Sequence, residues 1–182
     1  PLESPEFKPI LPFTPESRYS RSEEAFNIIS LSFSVKDHLL TYVHQNDTLL
    51  YEIDLLDPSL IQKPIGIPFD QFIFKKGFPY GGQEDYESPS DIQGSITSIF
   101  KVGNLDLIIY TSGLKMENFP PKNDDRSQYR AAIQRLNPKK WIVRSDGNRF
   151  SQPKLAPSSY RISRVDHRNR IWAQQNIEEL EE

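Results

Sequence analysis

The chain contains no cysteine. That absence excludes disulfides, thiolate zinc sites and thiol nucleophiles together. It fits a reducing compartment, and an intracellular protein, nuclear or cytoplasmic, is the expectation. Glycine is scarce at 8 of 182 residues, while proline reaches 15. Connections between elements should therefore be stiff and extended rather than flexible. No apolar run approaches the roughly 18–20 residues that cross a bilayer, so no membrane role is expected. The opening residues have neither the basic start nor the apolar stretch of a signal peptide.

Hydrophobic residues make up 36% of the chain. That is low for a globular protein, but the length suffices for one core without covalent staples. Residues 1–7, Pro1-Leu2-Glu3-Ser4-Pro5-Glu6-Phe7, resemble an expression-tag remnant and are set aside, which would make the chain a subcloned piece of something longer. Residues 8–24 are rich in Pro, Ser and charge and read as an extended arm, with Ile10, Leu11 and Phe13 set between prolines.

A β-rich domain with one inserted helix is expected over 25–162. Ile29, Leu31, Phe33 and Val35 alternate with Ser30, Ser32 and Ser34, the pattern of a strand with one wet face. Residues 39–43 and 49–55 give two further strands, the second pair joined by a tight turn at Asn46-Asp47. Three strands in a row make an antiparallel meander. One or two short strands are expected over 64–75, then a long acidic loop over 77–93. Residues 96–102 and 105–110 form a hairpin about Gly103-Asn104. A helix starts at Asp124 or Asp125, with Tyr129, Ala132, Ile133 and Leu136 on one stripe and Asn137-Pro138 as its stop. Residues 141–143 and 148–150 flank Asp146-Gly147 as a short hairpin.

Ser163 and Asp166 suggest the start of a C-terminal helix over 163–182, with an acidic end that opposes the helix dipole. The fold class expected is mainly β (α+β): an antiparallel meander forming a small barrel or curved sheet, with a short helix and a C-terminal helix. The meander has some likeness to a propeller blade. Its pattern restarts only about 68 residues later, at Ile96, beyond the roughly 40–50 residues of such repeats, so the barrel or curved sheet is the simpler reading.

No catalytic constellation is visible. His38 and His44 lack an obvious third metal ligand beyond Asp47 or Asp54. Glu52 and Asp54 share a strand face, but charges there suit the wet side of a half-buried strand. No nucleophile elbow or phosphate loop occurs. No enzyme activity, cofactor or metal is expected.

The positive signal is charge. Lys139, Lys140, Arg144, Arg149, Lys154, Arg161, Arg164, Arg168 and Arg170 face only Asp146 and Asp166, so residues 139–170 carry a net charge of +7. The whole chain is −3, leaving −10 elsewhere. Trp141, Phe150, Tyr160 and Trp172 are interleaved, a composition suited to stacking on bases. Yet the sequence pI of about 5.7 lies below the range of a dedicated nucleic-acid domain. The reading is a non-catalytic protein-interaction module, a scaffold domain or subunit of a larger complex, with Trp172 as anchor. Its binding residues are Lys139, Lys140, Trp141, Arg144, Arg149, Arg161, Arg164, Arg168, Arg170 and Trp172. The alternative is a nucleic-acid-binding domain using 139–170.

Overall fold

The computed structural model describes residues 13–21, 23–26, 29–57, 64–82, 91–121, 125, 127–129, 132, 136, 139–146, 149–157 and 160–175. In chain order the elements are α1 (Arg18–Arg21), β1 (Glu24–Ala25), β2 (Leu31–Lys36), β3 (Leu39–His44), β4 (Leu49–Asp54) and β5 (Ile65–Gly66). There follow β6 (Phe78–Pro79), β7 (Ser95–Val102), β8 (Leu105–Thr111), β9 (Lys140–Ser145), β10 (Lys154–Leu155), β11 (Tyr160–Val165) and β12 (Ile171–Gln175). One tight helical turn, Met116–Asn118, lies between β8 and β9.

Strands β2-β3-β4-β5 form a first antiparallel sheet and β7-β8-β9-β10 a second. The last two strands pair with each other as a separate hairpin, and β1 pairs with β6. These are open sheets, so the small barrel is not formed. The expected meander and the hairpin about Gly103 are present. Their turns need a left-handed backbone, supplied by Asp37 (φ 55°), Asn46 (φ 68°) and Gly103 (φ 62°). Over 64–75 only Ile65–Gly66 is a strand. The aromatic residues beyond it pack instead, with Phe69 and Phe72 rings 4.4 Å apart.

Strand alternation gives the first sheet two apolar faces. Val43 and Leu50, with Ile67, pack against Ile96, Ile99, Ile108, Tyr110, Trp141 and Val143 of the second sheet. Each fully buried side chain of this kind contributes about 1.5–3 kcal/mol relative to exposure. Leu40, Tyr42, Leu49, Tyr51 and Ile53 form a separate cluster on the other face, with Tyr42 and Tyr51 stacked at 4.9 Å.

The C-terminal helix expected from Ser163 is not formed. Tyr160–Val165 and Ile171–Gln175 run antiparallel, with Val165 opposite Ile171 and Arg164 opposite Trp172. Asp166 does not cap a helix. It lies in the turn and accepts hydrogen bonds from the Arg168 and Arg170 amides at 2.9 and 3.0 Å, while Asn169 takes φ 59°. An aspartate bonded to the backbone two residues on makes a turn as readily as a cap. Residues 176–182 lie outside the described residues. The inserted helix starts as expected at Asp125, which accepts from the Ser127 and Gln128 amides, and residues 127–129 and 132 are helical. Ile133, Asn137 and Pro138 are outside the described residues, as are Gly147 and Asn148 of the expected turn, although Ser145 bridges to Phe150 across it.

Candidate functional site

The β11–β12 hairpin carries Arg161, Arg164, Arg168 and Arg170 against one acid, Asp166. Every side chain of β12 is exposed, and Trp172 retains 44% of its surface. The indole is held in place all the same. Arg164, directly across the ladder, sets its guanidinium 5.0 Å from the ring centroid, and Arg170 lies at 5.6 Å. Asp166 organises the group: its Oδ2 accepts from Arg170 Nε at 2.7 Å and from Trp172 Nε1 at 3.2 Å. The Arg170 amide first, then the Trp172 and Arg170 side chains and the Arg168 amide, hold this carboxyl well below the usual range, so it stays ionised.

The remaining basic residues do not all join this surface. Lys140 and Arg161 line a cavity of about 250 Å³ between the second sheet and the hairpin, with Thr97, Ser98 and Ile109. Arg144, Arg149 and Lys154 are exposed around β9 and β10. Lys139 is exposed just before β9, and its carbonyl accepts from the Ser112 amide. Trp141 is no surface residue: it is 6% exposed and belongs to the core. It lies on the same face of β9 as Val143 and Ser145, all three buried. Phe150 also packs on that core, so the expected stacking set shrinks.

The histidines stay apart. His38 lies 3.7 Å from Asp54 at the turn. His44, the last residue of β3, sits among Phe13, Tyr19, Tyr42 and Tyr51, with centroids between 4.4 and 6.4 Å. Burial, opposed by Asp47, lowers its pKa from the ordinary 6.5. Burial also pushes the neighbouring Tyr42 phenol up to about 12. Among the described residues no group of three or more His, Asp or Glu is placed to hold a metal ion. Nor is any helix among them long and apolar enough to cross a membrane.

Two polar clusters escaped the sequence reading. Glu52 and Asp54 do not act as a pair. Glu52 bonds to Lys101 Nζ at 2.9 Å, and that ammonium also lies 2.9 Å from Asp106 Oδ1. Burial works to lower the Lys101 pKa, but the hydrogen bonds that it donates to Glu52 and Asp106, with their charges, outweigh it and hold the ammonium above its ordinary value. The second cluster centres on Asp47, fully buried, which accepts from Ser17 Oγ at 2.7 Å, the Thr48 amide at 2.7 Å and Tyr51 Oη at 3.1 Å. Ser17 lies just before α1, its carbonyl accepting from the Ser20 and Arg21 amides, and Arg18 donates to the Lys75 carbonyl at 2.6 Å, so this part of the arm is docked on the first sheet. A visible signal existed for the first cluster: Lys101 and Asp106 are the sole charged residues of their strands.

Comparison with protein-family models, curated proteins and solved structures gives no match to this chain.

Proposed function

We propose that this chain is a non-catalytic protein-interaction module, a domain of a larger intracellular assembly, and that the β11–β12 hairpin is its docking element. The observation that carries the reading is Trp172, half exposed yet oriented by Arg164, Arg170 and Asp166. A large ring already fixed in orientation loses little freedom on binding, which is the character of an interface anchor. The surrounding guanidinium groups favour a partner surface rich in carboxylates. Immobilised chain should retain a protein partner after nuclease treatment, and the Trp172→Ala variant should lose it with its melting temperature unchanged. Retention by that variant would remove the hairpin from the reading.

The second reading is nucleic-acid binding, favoured by four arginines on one hairpin and by Lys140 and Arg161 converging on one cavity. Against it, the indole that bases would stack on is already engaged by two guanidinium groups of its own hairpin. Titration with a labelled single strand and a duplex separates the two readings. Nucleic-acid binding requires affinity that falls steeply with salt.

A further inference from the structure

Three of the four sheets repeat one design. Each opens with a hairpin, and a left-handed residue lies in each turn: Asp37, Gly103 and Asn169, spaced 66 residues apart both times. The ladder slips between Ile96 and Ser98 in the second sheet and between Ile162 and Arg164 in the third, again 66 residues apart. The turns touch in sequence: Lys36 Nζ donates to the Gly103 carbonyl at 2.9 Å, and the Gly103 amide donates to Asn169 Oδ1 at 2.7 Å. The opening strands β2, β7 and β11 pack side by side without pairing. Four-stranded antiparallel sheets arranged radially by their first strands are the plan of a propeller.

The first sheet has a face that this plan leaves waiting. Ile99 is 5% exposed because the first sheet covers it. Its counterpart one unit earlier is Phe33, which is 58% exposed, and Val35 beside it is 50% exposed. Phe33 lies opposite Tyr42 and Val35 opposite Leu40, so both belong to the face turned away from the second sheet, and they extend its buried cluster. The charges at the two ends of the array are opposed. Residues 13–57 hold three cations and eight acids, net −5, whereas the hairpin at 160–175 has four cations and one acid, net +3.

We propose that the partner of the hairpin is a second copy of this chain, joined head to tail. The β11–β12 hairpin of each copy packs on the Phe33 and Val35 face of the other, continuing the sheet-on-sheet contact already made within the chain. Two copies supply four four-stranded sheets and two hairpins, six radial units within the range of about four to eight that close a ring. This proposal rests on the protein-binding reading and narrows it to one partner.

Sedimentation equilibrium of the purified full chain tests it. The expected species has twice the mass of one chain. Phe33→Lys and Val35→Lys each return it to one chain, with the circular dichroism spectrum unchanged, because both side chains are exposed. In a chain without native cysteine, Phe33→Cys combined with Arg164→Cys, which shares the Trp172 face of the hairpin, should form a covalent dimer on mild oxidation. A single-chain mass over the whole dilution series overturns the second copy, and retention of another protein through Trp172 in that case leaves the protein-binding reading standing. A dimer broken by Phe33→Lys but indifferent to Trp172→Ala overturns the head-to-tail arrangement, since two first sheets would then face each other.

Discussion

Lys101 on β7 reaches across to Glu52 on β4, 2.9 Å away, and so ties the second sheet to the first by an ion pair that is mostly out of water. Asp106, 2% exposed, holds the same ammonium from the neighbouring strand, with burial pushing its carboxyl up against the pull of Lys101. Removing the cation leaves two carboxylates without their partner in a place that disfavours charge. Lys101→Met should cost about 3–5 kcal/mol in urea denaturation. Adding Glu52→Gln and Asp106→Asn should restore part of the loss. A Lys101→Met variant with the wild-type midpoint would show that the bridge contributes nothing.

Acid should destabilise the fold through His44. Its folded pKa lies below 6.5 because burial among aromatic rings disfavours the imidazolium. The unfolded chain then binds the proton first, so stability is full above about 6.5 and declines as the pH falls through that value. His44 Nε2 has no hydrogen-bond partner among the described residues, so only the nearby Asp47 charge offsets part of the burial cost. His44→Gln should flatten the dependence of the unfolding midpoint on pH between about 7 and 5, measured against the parent chain.

The docked segment around α1 depends on one buried carboxylate. Ser17→Ala removes the 2.7 Å bond to Asp47 and should cost about 1 kcal/mol. Asp47→Ala strands Ser17, Tyr51 and the Thr48 amide together, and should cost about 2–3 kcal/mol while raising amide exchange over residues 17–21. Equal losses from the two variants would mean that Ser17 alone anchors the segment.

The hairpin turn relies on Asp166. Replacing it with Ala removes the acceptor for two backbone amides, one guanidinium and the indole. Amide exchange at Arg168 and Arg170 should accelerate, with core strands β3 and β8 unaffected. A helix in this segment would instead show exchange changing along the whole stretch from Ser163 to Gln175.

Much of the first sheet was legible because Leu31, Phe33 and Val35 alternate with serines, and because Asn46 and Gly103 mark turns that few other residues adopt. The hairpin at 160–175 misled because Ser163 and Asp166 have the spacing of a helix cap, while the bulge between Ile162 and Arg164 breaks the alternation that marks a strand. The repeat was hidden for a different reason. Long connections, β5 to β7 in the first unit and β8 to β9 in the second, set the hairpin turns 66 residues apart, beyond the roughly 40–50 residues of familiar sheet repeats. The basic segment was correctly seen as a charge excess, but charge alone could not say that Trp141 turns inward and Trp172 outward. That difference follows from which neighbouring strand each one meets.

The outermost strands of the two complete sheets, β5 and β10, are only two residues long. Stubs of that length present little unpaired backbone and resist edge-to-edge growth. Strand β12 is different: five exposed residues, paired on one side only among the described residues. Its open row of amides and carbonyls is a template on which foreign extended peptide can add, so clumping of the isolated chain should begin there, and a proline placed in that strand should suppress it.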